Sequence, residues 1–359
     1  MTRLLAMAML SFLACGCTSR SSGPPQPGKD EKGKPGPVYK EVVCFVYHRF
    51  GDSRFPSTNT SVEGFEAHLA WLARHQYQVL GLSEAIEYLH NDAPVKNTAV
   101  ITIDDGYKSF YKNGLPLLIQ YNFPATLFIN TKTVGAGDYM DWQELRKASQ
   151  QNIEIGNHTH THDYFLNKIP EARYRDFEND TRTAQRLIEK ALGLTPQVLA
   201  YPYGEFDHKM KTIVASLGFA GAAAQNSGVM NNTDDPYQIP RFPMSGHYAN
   251  TFEEKASMHA LKVIRKSPDE NGVPPGTNRP LLRLTIDARG LLTDRLQCFS
   301  QSGDCEVRMV DNTTNRYSLT VQPTLGVAHR RRTLITLTAP DSAGNWHWFS
   351  HLWVNTLVK

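Results

Sequence analysis

Two adjacent carboxylates, Asp104 and Asp105, stand at the end of an apolar run at 99–103 and are followed by Gly106. Downstream, His158 and His162 sit four residues apart in Asn157-His158-Thr159-His160-Thr161-His162, again just after an apolar run. A strand that delivers Asp-Asp into a glycine turn presents both acids at a sheet edge, because two carboxylates side by side in a core would repel and push one pKa up. Alone, Asp-Asp-Gly is also an ordinary solvated turn. Histidines at i and i+4 share one face of a helical turn and can ligate one ion. Two His and one Asp with open positions suit Zn2+ acting as a Lewis acid, which lowers the pKa of bound water to about 7. The other Asp then has a natural task, taking a proton from that water. The combination reads as metal-assisted hydrolysis of an acyl group.

The elements that must position these residues alternate in type. Residues 42–47, 78–82, 99–103, 125–130, 153–155, 198–200 and 219–223 read as strands. Helical spacing fills 61–75, with Ser61 as N-cap, then 83–90 opening with a cap, a stretch reaching residue 118, and 141–149, 172–192 and 209–217. Such alternation implies a parallel sheet covered by helices, barrel-like or doubly wound. The unusual polar residues all follow strands, and the C-terminal ends of the strands are where α/β barrels carry their active sites. After a Pro-, Gly- and Asn-rich linker at 267–280, short alternating runs at 282–286, 317–321, 333–338 and 346–354 read as a small all-β, sandwich-like domain.

Bulk properties narrow the function classes. The chain has 359 residues, which favours two domains, and 40% hydrophobic residues supply a real core. Its 38 basic and 35 acidic residues leave a net charge of +3, which argues against a nucleic-acid binder. Arg3 and an apolar run at 4–14 have the proportions of a signal peptide, too short for an ordinary membrane span. The run closes on Leu13-Ala14-Cys15-Gly16-Cys17 and resembles a bacterial lipoprotein signal, with Cys17 or Cys15 as the lipid-bearing residue; an ordinary secreted protein cut nearby is the alternative. The expected plan is a signal at 1–17, a tether at 18–39, a catalytic domain at 40–266, the linker, and a β-domain at 281–359. In an exported chain Cys298 and Cys305 can pair across a short loop, whereas Cys44 reads as a buried thiol.

Thr102-Ile103-Asp104-Asp105-Gly106, His158-Thr159-x-x-His162 and Tyr201-Pro202-Tyr203-Gly204, in that order, resemble the first three motifs of the polysaccharide deacetylases, the NodB-homology carbohydrate esterases, over residues 40–250. The resemblance implies a distorted (β/α) barrel and a divalent metal, usually Zn2+, with Co2+ or Ni2+ as substitutes. It implies Asp104 as base, and Asp105, His158 and His162 as metal ligands. Tyr203 would offer its backbone N–H to the oxyanion, and Thr159 a hydroxyl that braces the histidine loop. His160, two residues from each ligand, is expected to point away from the metal. Two positions depart from the pattern. The third-motif Arg that holds the catalytic Asp in many members is Ala200 here, and Arg241 is either its replacement or a surface arginine. The late Leu-x-x-His motif is matched only by Met244-Ser245-Gly246-His247, which makes His247 the general-acid candidate. Tyr47-His48-Arg49 and Ala200 look like the exopolysaccharide branch, with His48 either near the site or closing its strand end.

Three readings follow. The first is a metal-dependent hydrolase that removes N-acetyl groups from an extracellular N-acetylglucosamine polymer and releases acetate. The second keeps the machinery but acts on peptidoglycan or O-acetylated polysaccharide. The third is a carbohydrate-binding surface lipoprotein whose catalytic half has decayed. The expected partners are the acetylated polysaccharide and, through a lipid anchor, the membrane of the cell envelope, at the outer membrane or periplasmic face; the chain is expected to be a monomer. Trp346, Trp348, Phe349 and Trp353 are either a sugar-stacking platform or core, and alternation puts the first two on one face and the last two on the other. Arg330-Arg331-Arg332 could meet an anionic polymer, but a solvated turn is the favoured reading.

Overall fold

The computed structural model describes residues 39–313 and 315–358. The expected signal segment with Cys15 and Cys17, and the tether up to residue 38, lie outside the described residues. Strands Glu41–Tyr47 (β1), Gln78–Leu80 (β2), Thr98–Ile103 (β3), Ala125–Ile129 (β4), Ile153–Asn157 (β5), Val198–Ala200 (β6) and Gly221–Ala223 (β7) lie where apolar, β-branched runs predict them. β1, β3, β4, β5, β6 and β7 are successive parallel neighbours, and β2 shares an edge of β3 with β4. Alternation divides their side chains between two clusters. Val43, Phe45, Tyr47, Ile101 and Ile103 face outward onto helices Val62–Arg74 (α1), Leu115–Tyr121 (α3) and Trp142–Ser149 (α4). Val42, Cys44, Val100, Phe128, Val198 and Ala223 face inward, where Leu82–His90 (α2) adds Leu82, Ala85, Tyr88 and Leu89. Both faces are covered, so the strands read as nearly continuous hydrophobic runs.

The barrel closes through a segment without an obvious strand signature. Ile239 N–H donates to Ala222 O, Ala224 N–H to Ile239 O, and Met244 N–H to Val46 O. Val229–Asn231 (β8) and Phe242–Pro243 (β9) pair along one edge of β1, antiparallel and parallel respectively. The residues from Ile239 to Met244 thus stitch the β7 edge to the β1 edge, and the sheet curls into a distorted barrel. Ser61 caps α1 through a bond from Gly64 N–H. α2 differs from expectation: it starts at Leu82 after a bare Gly81, and the Glu154 carboxylate of β5 accepts from Leu82 N–H at 2.8 Å. Pro170–Leu192 (α5) and His208–Ser216 (α6) cover the remaining outer face with Phe177, Met210 and Val214.

A second sheet of eight strands follows: His259–Ala260 (β10), Val263–Ser267 (β11), Leu282–Asp287 (β12), Gln297–Ser300 (β13), Gly303–Thr313 (β14), Arg316–Pro323 (β15), Arg332–Pro340 (β16) and Trp346–Val354 (β17). Their order is β10-β17-β16-β13-β14-β15-β12-β11. Leu282, Leu284, Ile286, Leu319 and Val321 from one half meet Ile335, Leu337, Ala339 and Trp353 from the other, the two-layer arrangement of a sandwich. β10 and β11 begin this sheet ahead of residue 267, within the stretch expected to end the catalytic domain, and the described chain from Tyr39 onward is one compact unit. Phe349 and Trp353 face the sandwich core, while Trp348 meets Phe242 of the barrel with ring centroids 5.6 Å apart. Cys298 and Cys305 form a disulfide between β13 and β14, and Cys44 is a buried free thiol, its pKa pushed up to about 12 by burial. Among the described residues no helix is long and apolar enough to cross a membrane.

Candidate metal centre and active site

β3 carries its inward alternation, Val100 then Thr102, one step past its end to Asp104. That places a carboxylate, with no exposed surface, inside the barrel. The closing segment answers it. Arg241, itself fully buried, donates from Nη1 to Asp104 Oδ1 at 2.7 Å and from Nη2 to Oδ2 at 2.9 Å. Its remaining donors go to Thr102 Oγ1 at 3.0 Å and Ala224 O at 2.8 Å. Burial by itself raises the Asp104 pKa, but the Arg241 charge and bonds, with His158 and His48 nearby, hold the carboxyl well below the usual carboxylate range. His48 is the histidine beside it, with Nε2 3.9 Å from Asp104 Oδ2 and a fifth of its side chain exposed.

Asp105 leaves the alternation. Its φ of +72°, followed by +72° at Gly106, turns the chain sharply, and aspartate is among the few side chains that tolerate this region. Asp105 Oδ1 lies 3.6 Å from His158 Nε2 and 3.6 Å from His162 Nε2, and the two nitrogens are 3.2 Å apart. Asn130 Nδ2 approaches the same oxygen at 3.4 Å. The two histidines do not sit on a helical turn. They lie in the loop after β5, and positive φ at Thr159 (+65°) and His162 (+56°) folds it back so that the rings converge.

Several groups enforce that loop. Asn157 Oδ1 accepts from Thr159 N–H at 2.8 Å, and Thr159 Oγ1 accepts from His162 N–H at 3.2 Å. Asp180 of α5 accepts from His160 N–H at 2.7 Å and Thr161 N–H at 2.9 Å, and from Thr161 Oγ1 at 3.0 Å. His160 turns its Nδ1 to Thr131 Oγ1 at 2.8 Å. His158 Nδ1 lies 2.7 Å from Ala200 O; a carbonyl only accepts, so Nδ1 carries the proton and Nε2 keeps its lone pair for an ion. Burial, and then His158 beside it, lower the His162 pKa to about 4, so the His162 imidazole is neutral at neutral pH. Four tetrahedral donors about 2.1 Å from Zn2+ lie about 3.4 Å from one another. The three donor atoms here, 3.2–3.6 Å apart, have the spacing of one such face, and they form the one cluster of three metal-ligating side chains among the described residues.

The third motif forms a turn at Pro202–Gly204 in which Tyr203 has φ +59°. Its ring stacks on Tyr164 at 3.7 Å and meets His162 edge-on at 4.5 Å. Burial, then Tyr164, pushes its phenol up to about 12. His247 is not brought to this group. It lies in the exposed turn Gly246–Thr251, its ring against Tyr248 at 4.0 Å, because Met244 and Ser245 are tied to Val46 and Ser57. Arg331 and Arg332 are also not a solvated turn: they bind Glu205 and the Tyr203 carbonyl. Asp180 and Asn157 had no legible role in the sequence; their signal lies in which backbone amides the folded loop leaves without partners.

Residues 91–222 match the polysaccharide deacetylase family. The chain is 27% identical over 212 residues to a poly-beta-1,6-N-acetyl-D-glucosamine N-deacetylase of Staphylococcus aureus, covering 56% of this chain and 73% of the relative. Among solved structures it is similar to IcaB from Ammonifex degensii, with a TM-score of 0.55, 25% identity, and coverage of 60% of this chain and 97% of that one. The deacetylase PplD of Streptococcus pyogenes shares the fold, with a TM-score of 0.56, 18% identity and coverage of 61% and 99%.

Proposed function

We propose, from the match of residues 91–222 to the polysaccharide deacetylase family, that this chain removes N-acetyl groups from a β-1,6-linked N-acetylglucosamine polymer in a metal-dependent reaction. The observation that carries this reading is the pairing of a buried, Arg241-locked Asp104 with a convergent Asp105–His158–His162 face beside it. The substrate assignment is supported by the similarity to the S. aureus N-deacetylase and to IcaB.

Asp105, His158 and His162 would hold the ion. When bound, a Zn2+ ion supplies Lewis acidity that lowers the pKa of a water and polarises the acetyl carbonyl. Asp104, ionised because Arg241 holds it so, takes a proton from the attacking water. The water oxygen bonds to the acetyl carbon, the C–N bond breaks, the amine takes up a proton, and acetate leaves. The Tyr203 turn is the family position for the backbone donor to the developing oxyanion. His48, rather than His247, is within reach of Asp104 and sits at the accessible rim, which favours it as the group that delivers a proton to the leaving amine. A carboxylate clamped at 2.7 and 2.9 Å by a buried guanidinium is a costly arrangement that catalysis explains better than stability does.

Acetate release by the zinc-loaded protein, compared across poly-β-1,6-N-acetylglucosamine, chitin oligomers and peptidoglycan, tests the assignment. The expected result is release from the β-1,6 polymer at a rate at least about tenfold above the others, a discrimination worth about 1.4 kcal/mol. Preferential release from chitin or peptidoglycan would overturn the substrate class while keeping the chemistry.

A further inference from the structure

We propose that Arg331 and Arg332, at the start of β16, are positioning residues of the deacetylase centre, so that the second sheet is a working part of the active site. The inference rests on the deacetylase reading of the Tyr203 turn and of His162. The part of the chain that carries it lies outside the matched family segment, residues 91–222.

The turn at Pro202–Gly204 is strained. A tyrosine at φ +59° occupies a region that bulky side chains avoid, and such a conformation persists only where its surroundings over-determine it. The barrel supplies part of that restraint through Gly204 N–H and Glu205 N–H, which donate to the carbonyls of Tyr201 and Pro202. The second sheet supplies the rest. Arg332 Nη1 donates to the Tyr203 carbonyl at 3.0 Å, fixing the plane of the peptide that follows the tyrosine. Arg331 grips both oxygens of Glu205 at 2.8 and 2.6 Å, and this carboxylate is only 3% exposed. A bidentate guanidinium–carboxylate pair is both strong and directional.

The same two side chains reach the metal-ligand face through the rings. The Arg331 guanidinium lies 4.2 Å above the Tyr164 ring, Tyr164 stacks on Tyr203 at 3.7 Å with planes 5° apart, and Tyr203 meets His162 at 4.5 Å. The support behind the arginines is rigid. Arg332 is paired with Val354 of β17, and Leu352 and Val354 pack in one cluster with Tyr201 and Phe206 of the barrel. Arg331 is further tied to Asn167 Oδ1 at 3.0 Å and to Val358 O at 2.8 Å. Removing Arg332 therefore frees the Tyr203 peptide while leaving the Arg241–Asp104 pair in place.

The test uses the full chain with Arg332→Met and Arg332→Lys, and Arg332→Gln in place of the Met variant where thermal melting shows it unfolded. A displacement of catalytic groups by about 1 Å costs on the order of a hundredfold in rate, so kcat for acetate release is expected to fall at least about tenfold in the Met or Gln variant. KM should stay within about threefold, and lysine, which keeps a charged donor for the carbonyl, should recover kcat to within about threefold of the parent. A folded Met or Gln variant with parental kcat overturns the proposal. A parent that releases no acetate marks failure of the functional reading instead, and zinc titration of the same proteins without substrate then decides. Affinity about tenfold weaker in the variant supports the clamp, in line with the effect of groups that orient metal ligands, and parental affinity overturns it.

Discussion

At the scale of single residues the molecule turns on one ion pair. Asp104 is where strand alternation puts it, and the Arg241 guanidinium is the main group that makes a charge there tolerable. Replacing Arg241 by Met leaves a buried carboxylate without its partner, and the expected loss of stability is about 3–5 kcal/mol. The pH dependence should also change sign. In the parent, Asp104 titrates below its ordinary value of 3.8, so its contribution to stability is present above that value and lost as pH falls below it. In the variant, burial, the largest single effect on this carboxyl, is opposed only by His158 and His48, and the pKa rises. The folded state then holds a proton that the unfolded state releases, and stability falls as pH rises above about 4. Urea unfolding of both proteins from pH 4 to 8 checks this, and parallel profiles would contradict it. Activity should follow: the acid limb of kcat/KM moves upward in Arg241→Met, because the base must be ionised. Sequence distance hides this pairing, because Arg241 comes from 137 residues beyond Asp104.

At the scale of elements, the strands and helices of the barrel were legible because buried parallel strands are continuous apolar runs and helices repeat with period 3.6. The two motif loops were legible as clusters of polar residues after such runs. The form of the histidine loop was not. Spacing of four suggests a helical turn, whereas Thr159 and His162 adopt positive φ, and the bonds that compensate come from Asp180 on α5 and Asn157 at the end of β5. Asp180→Ala should therefore leave two partly buried amides without their acceptor, costing about 1–3 kcal/mol, and should weaken zinc binding about tenfold through the loosened loop. Melting curves and zinc titration together check this; a destabilised protein with parental zinc affinity would show that Asp180 supports the fold alone. β8, β9 and the segment at 239–244 were missed for a related reason. The two strands are three and two residues long, and the pairing of the whole segment is decided by where the barrel edges lie.

At the scale of the whole molecule, the two sheets form one compact unit, and Arg332 of the second joins it to the Tyr203 turn of the barrel. The charge run at 330–332 gave no hint of this, because a basic triplet before a strand has the composition of a solvated turn and only the folded barrel places Glu205 and Tyr203 opposite it. The sandwich thus reaches the Tyr203 turn directly, through Arg331 on Glu205 and Arg332 on the Tyr203 carbonyl. The central claim is that Asp104 is the base beside an ion held by Asp105, His158 and His162. It is tested most directly by acetate release from poly-β-1,6-N-acetylglucosamine by the parent and Asp104→Asn, each with zinc content measured on the same sample. One zinc per chain is expected in both proteins, with a rate in the variant lower by about 10²–10⁴-fold, the usual worth of a general base. Equal rates at equal zinc content would contradict it.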